Sequence, residues 1–415
     1  MKKRYKTKVA MEVLGNLLLG VALLTTILAY TPVIAQLSDY NPQGLKATTL
    51  EEVLALPDEE IDLATAIMIL YKEWDASFDG AGSLEEIDRM ALELEVRISP
   101  EDNLERIVSL INRYLFEENA YSAGDPSDPD YMKAVEYSAL PCVLENKKGD
   151  CLGLSLLYLT LGERLGLPIY GVTAPAHVFV RYDNGKTRIN IETTEKGKEY
   201  EDSHYEEMFM LYPTYRNYNF YLRNLVKREA IGLFLNNLGG AYYGKGMYDE
   251  AVAELKKALE INPNDAHAHY NLGVAYSNKG MYDEEIAEYK KALEINPNYA
   301  NAHCNLGAAY VEKGMYDEAI AEHKRAIEIN PNDADAHYNL GGAYYGKGMY
   351  DEAIAESKKA LEINPNYANA HYNLAVVYYY KGEYSLAIKH CDRAIELGYR
   401  VHPELLEALK PYRGK

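Results

Sequence analysis

Three side chains in the middle of this sequence have the types and the order that thiol chemistry requires: Cys151, His177 and Glu192. Cys151 follows Gly149-Asp150 and precedes the apolar run Leu152 to Leu159, a helix whose end is signalled by Gly166 and Pro168. Asp150 is its N-cap, so Cys151 falls in the first turn, where the helix dipole and unpaired N–H groups favour the thiolate and lower the thiol pKa. A lone cysteine is more often a small buried hydrophobe, so its partners decide. Ala176 to Tyr182 alternates as a strand, Asp183-Asn184-Gly185-Lys186 is a hairpin signal, and Thr187 to Thr193 returns. With Asn184-Gly185 as a two-residue loop, Val180 faces Ile189, Val178 faces Ile191 and His177 faces Glu192. The four apolar residues then share the core face, and His177 and Glu192 point together to the other with Cβ atoms about 5 Å apart. A carboxylate beside an imidazole orients it and supports its charged form. Thiolate attack on an acyl group gives a thioester through a tetrahedral oxyanion, for which the Cys151 N–H is a natural donor. The competing readings are a strand histidine satisfied by a surface glutamate, and a Cys142–Cys151 disulfide closing a short loop.

The elements that must hold these residues are legible on either side. Asp58 to Tyr71, Leu84 to Ile98 and, after Pro100, Leu104 to Glu118 read as amphipathic helices, and Gly124 to Pro129 as a loop. Downstream, Asn-Leu-Gly stands at 237, 271, 305 and 339 and Asn-Leu-Ala at 373, a period of 34 residues. Gly239, Gly273, Gly307, Gly341 and Ala375 mark a close helix crossing, Tyr242, Tyr276, Tyr310, Tyr344 and Tyr378 follow them, and Ala258, Ala292, Ala326, Ala360 and Ala394 mark the tight point on a second helix. Pro263, Pro297, Pro331 and Pro365 end each hairpin; Tyr399 replaces the last of them, and Pro403 to Tyr412 reads as a capping helix.

Five positively charged residues, Lys2, Lys3, Arg4, Lys6 and Lys8, precede an apolar run from Leu17 to Ala29, the layout of an export signal; Pro32 and Ala35 suit cleavage, and an extended apolar run suits an anchor. An extracytoplasmic protein is expected, periplasmic, secreted or held to a membrane through this segment if it is uncleaved. The net charge of -20 in 415 residues speaks against nucleic acid as a partner. Four cysteines in two regions give no CxxC metal pattern or disulfide framework, and no residue pattern calls for a cofactor.

The 34-residue units resemble the tetratricopeptide repeat (TPR) family over about 170 positions. That resemblance implies a concave face lined by first helices, where Asn237, Asn271, Asn305, Asn339 and Asn373 form a ladder with Tyr243, Tyr345 and Tyr379 as aromatic walls. The ladder resembles that of the O-linked N-acetylglucosamine transferase repeats, which implies an extended peptide or protein ligand held by its backbone; the alternative is a solvated consensus residue. His269, His303, His337 and His371 are read as packing residues, not metal ligands, because one per repeat spaces them too widely for one ion. The order Cys, His, acid on helix, strand and adjacent strand resembles the transglutaminase-like branch of the papain-type fold. Arg106 to Leu115, Lys148 to Pro168, Pro175 to Arg181 and Leu222 to Tyr243 resemble the SirB-type family, which joins this domain to TPR repeats. The resemblance implies Cys151 as nucleophile, His177 as general base and Glu192 where such proteins commonly carry Asp.

The expected fold is therefore an α+β transglutaminase-like (papain-type) domain at 58–230, after a leader at 1–36 and a linker at 37–57, followed by an all-α TPR solenoid at 231–401 and a cap at 402–415. The expected function is peptide or protein binding coupled to a thiol hydrolase or acyl transferase; the alternative is a non-catalytic scaffold on a degenerate enzyme fold.

Overall fold

The computed structural model describes residues 43–99, 101–125, 135–209 and 221–413. The leader expected at 1–36, Pro100 and residues 126–129 of the expected loop lie outside them. Among the described residues no helix is long and apolar enough to cross a membrane. The chain divides into two units, Met1–Asn264 and Asp265–Lys415.

The first unit opens with α1 (Leu50–Leu54), α2 (Leu63–Trp74), α3 (Ala81–Glu95) and α4 (Leu104–Asn112), the last continued by a π-helical turn, Arg113–Glu118. Thr49, Asp62 and Asn103 cap α1, α2 and α4 by accepting the N–H three residues on. The short strands β1 (Ser122–Ala123) and β2 (Lys148–Gly149) pair in parallel, and α5 (Leu140–Asn146) leads to α6 (Cys151–Arg164). Helix α6 is buried on every side from Leu152 to Leu161, which makes it the central helix of the unit. Strands β3 (Ile169–Ala174), β4 (His177–Asp183), β5 (Arg188–Glu192) and β6 (Lys198–Tyr200) form an antiparallel meander in that order.

The β4–β5 register corrects the sequence expectation by two residues. Asp183 pairs with Arg188, Tyr182 with Ile189 and Val180 with Ile191, so the loop is Asn184–Thr187, not Asn184-Gly185 alone. The turn's own side chains lengthen it. Asp183 Oδ1 accepts the Gly185 N–H at 2.9 Å, Asn184 Oδ1 accepts those of Lys186 and Thr187 at 3.0 and 2.8 Å, and Gly185 takes φ 81°. Because a strand has a side-chain period of two, an even slip keeps every residue on its expected face. His177 and Glu192 thus become diagonal neighbours on one face. That face is covered as well: α7 (Asp202–Met208) lies over it, with the Tyr205 ring stacked on Phe179 at 3.9 Å.

Helices α8 (Lys227–Gly244) and α9 (Tyr248–Ile261) form the first repeat hairpin, and they belong to the first unit. The division after Asn264 therefore falls one hairpin beyond the expected boundary at 230. Long-range caps explain this: both carboxylate oxygens of Asp58 accept the Lys227 and Arg228 N–H groups at 3.0 Å, and Lys227 Nζ donates to Ile61 O at 2.7 Å and to Glu163.

The second unit holds four further hairpins: α10 (Ala266–Asn278) with α11 (Tyr282–Ile295), α12 (Ala300–Glu312) with α13 (Tyr316–Ile329), α14 (Ala334–Gly346) with α15 (Tyr350–Ile363), and α16 (Ala368–Tyr380) with α17 (Tyr384–Glu396). Helix α18 (Pro403–Leu409) places Leu405 and Leu409 in the same core. Each crossing glycine meets the residue sixteen positions on. A Cβ on Gly273 would lie 2.5 Å from the Tyr289 ring, and one on Gly307 2.6 Å from the His323 ring. Consecutive hairpins are tied by Lys313 to Asp283, Lys347 to Asp317 and Lys381 to Asp351.

His323 is 1% exposed, and neither ring nitrogen has a hydrogen-bond partner. Burial drives its pKa down to about 4 against the opposing pull of Glu322. A folded pKa below the unfolded value of about 6.5 means that its neutral form is fully accommodated above that pH. Stability is then lost as pH falls from about 6.5 through 4, by up to roughly 3 kcal/mol. His323→Tyr is expected to raise the unfolding midpoint and flatten this acid dependence. A hydroxyl there can reproduce the bond that Tyr289 accepts from Asn305 one repeat earlier. Thermal unfolding at pH 5 and pH 7.5 checks both effects.

Candidate thiol site and the repeat surface

Cys151 is the first residue of α6, and Asp150 caps the helix by accepting the Gly153 N–H at 2.7 Å. Gly153 is obligatory here because a Cβ would come within 2.2 Å of Tyr137 O. The turn that carries Cys151 therefore rests directly on the segment before α5. Both Cys142 and Cys151 are free thiols, and the buried Cys142 donates to the Tyr71 hydroxyl at 3.1 Å. The Cys142–Cys151 bridge of the competing reading is not formed in this structure.

His177 is aimed by a two-residue turn between β3 and β4, in which Ala174 pairs with His177. Ala176 takes φ 54°, a left-handed conformation that a residue with a Cβ adopts at a cost. The imidazole Nε2 meets Glu192 Oε2 at 2.7 Å. Cys151 also interacts with the ring and favours its charged form. Phe209, Phe179 and Tyr205 stand beside the ring, with centroids 5.8, 6.4 and 6.4 Å away.

Glu192 is held at both oxygens. Oε1 accepts Thr194 Oγ1 at 2.6 Å and Thr194 N at 3.2 Å, while Oε2 accepts the Tyr205 hydroxyl at 3.4 Å as well as the imidazole. Its side chain is 5% exposed, so it is not the surface glutamate of the competing reading. Burial acts to raise its pKa, but the bonds and charge of His177 and the Thr194 donors outweigh this and hold it below the ordinary carboxylate value. Burial acts likewise against a charged His177. Its hydrogen bonds to Cys151 and Glu192, and the Glu192 charge, prevail and raise it to about 10. The ring is thus an imidazolium at neutral pH. A charged ring in this position can face the sulfur with positive charge and supply a proton to a departing amine.

Two supports were not apparent from the sequence. Arg181, fully buried, donates to Asn190 Oδ1 at 2.6 Å, Leu222 O at 2.8 Å and Asp202 Oδ1 at 2.5 Å, which fastens α7 to the sheet. Tyr205, on that helix, then reaches Glu192. An arginine in the middle of an apolar strand was the available signal.

The ladder asparagines are all half-buried, one on the first helix of each hairpin. Asn237 lies in the first unit and donates to Ser138 Oγ at 2.9 Å. In the second unit Asn305 Nδ2 lies 3.3 Å from both the Tyr270 and Tyr289 hydroxyls; Asn271, Asn339 and Asn373 occupy the equivalent helical positions. Tyr243 packs beside Tyr248, Tyr345 beside Tyr350 and Tyr380, and Tyr379 beside Tyr380 and Tyr384, so each wall tyrosine belongs to a cluster at its hairpin turn. His269, His303 and His337 are buried and bond through Nδ1 to Glu288, Glu322 and Glu356 at 2.5, 2.6 and 2.7 Å, which ties the two helices of a hairpin.

Residues 82–236 match the family model described as the transglutaminase-like superfamily. TPR repeat models match 239–280, 278–314, 309–348 and 341–382, and a further tetratricopeptide repeat model matches 368–397. A UPF0162 protein of Xylella fastidiosa (strain 9a5c) is 25% identical over 166 residues, 39% of this chain and 58% of that protein. The chain thus spans a little over half the length of this curated relative. Among solved structures, MamA is 31% identical with a TM-score of 0.37, covering 39% of this chain and 94% of its own. YrrB, described as a TPR protein with an unusual peptide-binding site, is 29% identical with a TM-score of 0.38, covering 44% and 92%.

Proposed function

From a chain that joins a transglutaminase-like domain to tetratricopeptide repeats, we propose a thiol hydrolase or acyl transferase that acts on peptide or protein substrates recruited by the repeats. The observation that carries this reading is the convergence of Cys151, His177 and a doubly held Glu192 at the start of the central helix. The Cys151 thiolate attacks an amide or ester carbonyl, forming the C–S bond. The tetrahedral oxyanion collapses to a thioester as the leaving group takes the His177 proton, and water or an amine then resolves the thioester. The test is covalent trapping. After incubation with acyl-donor peptides and acid quenching, the acyl mass is expected on the peptide bearing Cys151; its absence there under conditions that give turnover overturns the reading.

The proposed location is outside the cytoplasm, supported by the basic and apolar pattern of residues 2–29. The proposed ligand surface of the repeats uses the asparagines of the second unit. Asn305 directs its amide N–H at two hydroxyls, and Oδ1 is the atom suited to accept a peptide N–H. Asn305→Ala with Asn339→Ala is expected to weaken capture of extended peptides about tenfold, the effect of two lost hydrogen bonds. Titration calorimetry showing equal affinity in the double variant would remove the ladder from the binding surface.

A further inference from the structure

We propose that Asn237 is a positioning residue for the nucleophile's helix, so that the first repeat serves the thiol site. The chain of contacts is continuous within the first unit. Asn237 Nδ2 donates to Ser138 Oγ at 2.9 Å, Ser138 Oγ donates to Asp150 Oδ2, and Asp150 Oδ1 accepts the Gly153 N–H at 2.7 Å. Its polarity is fixed by chemistry. An amide nitrogen only donates, so it fills a lone pair of the Ser138 hydroxyl, whose single proton then goes to the carboxylate. Bonds aligned in this way strengthen one another in a buried site, and Ser138 is 3% exposed.

A second set of contacts points to the same strut. The Asp150 N–H donates to Tyr137 O at 2.9 Å, and that carbonyl occupies the space where any Gly153 side chain would stand. The segment Tyr137-Ser138 therefore touches the first turn of α6 on one side and α8 of the first repeat on the other. Burial works to raise the Asp150 pKa, and the Ser138 and Gly153 donors oppose it. Losing the Asn237 donor frees the Ser138 proton to turn away. The cap then loosens, and with it the turn that aims Cys151.

The experiment uses the full chain with Asn237→Asp, which keeps the shape but has no N–H to donate, together with Asn237→Ala and Ser138→Ala. Two readouts are taken: amide hydrogen exchange of the peptide spanning Gly149 to Leu157, and the pH profile of iodoacetamide labelling at Cys151. Exchange in that turn is expected to rise threefold to tenfold in each variant, and labelling at pH 7 to slow by a similar factor, as for one lost buried hydrogen bond. The Asn237→Ala, Ser138→Ala double variant is expected to go no further than Ser138→Ala alone, since both act through one proton. Unchanged exchange in Asn237→Asp and Asn237→Ala overturns the proposal, and an additive double variant does so too; if the Asn237 variants do not fold, Ser138→Ala decides by the same exchange readout. The labelling arm rests on the proposed thiol chemistry and fails separately. Raised exchange in a protein whose wild-type Cys151 labels no faster than a free thiol keeps the positioning role and removes the enzymatic one.

Discussion

Replacing Cys151 with Ala is expected to lower acyl turnover by about 10⁴-fold or more, and His177→Ala to slow iodoacetamide labelling of Cys151 at pH 6 by about a hundredfold. The first figure follows because no other described thiol has these partners. Cys142 is buried against Tyr71, and burial pushes the Cys391 thiol up and the Cys304 thiol up to about 12. The second follows from charge. With His177 raised to about 10, the sulfur faces an imidazolium throughout the range below that pH. Removing the positive charge and the proton-transfer partner that His177 sets beside the sulfur takes away its activation, an effect of about a hundredfold. The pairing also has a sign in stability. The folded His177 value lies above the unfolded 6.5, so its contribution is complete below about 6.5 and is lost as pH rises through about 10. Equal labelling rates for wild type and His177→Ala at pH 6 would refute the charged pair, and turnover retained in Cys151→Ala would remove Cys151 as the nucleophile.

The largest expected loss of stability is at the other end of the same helix. Asp62, fully buried, accepts the Thr65 N–H at 2.7 Å as the N-cap of α2 and pairs with Arg164 Nη1 at 2.6 Å; the Arg164 side chain is 2% exposed and also reaches Asp88 at 2.7 Å. Asp62→Ala removes a cap and leaves a buried guanidinium short of charge, together about 4 kcal/mol. For a unit of this size that corresponds to a fall in its melting midpoint of roughly 10 °C. Burial alone raises the Asp62 pKa, but Arg164 and Thr65 overcome it and hold the carboxyl below its unfolded value. Its contribution is therefore present above about pH 4 and is lost on further acidification. Because Arg164 ends the helix that Cys151 begins, the loss should also appear as slower labelling of Cys151. The pair Asp62→Leu, Arg164→Met is expected to be milder than Asp62→Ala, since it leaves no buried charge alone. A calorimetric midpoint for Asp62→Ala within 2 °C of wild type would contradict this account.

Local rules carried much of this protein. The 34-residue period determined the hairpins, because each repeat buries its glycine crossing and its alanine against its own partner helix, and such contacts recur at fixed separation in the chain. The Asp150 cap determined that Cys151 opens a helix, and strand alternation determined that His177 and Glu192 share a face. Tertiary structure decided the rest. Turn side chains shifted the hairpin by two residues, a change invisible to alternation because both registers present the same faces. Asp58 capped α8 from 169 residues away and drew the first repeat into the first unit, and Ser138 accepted the Asn237 amide N–H from 99 residues away. No periodicity marks these partners, since a hydrogen bond between distant segments depends on where the chain brings them and not on their spacing along it.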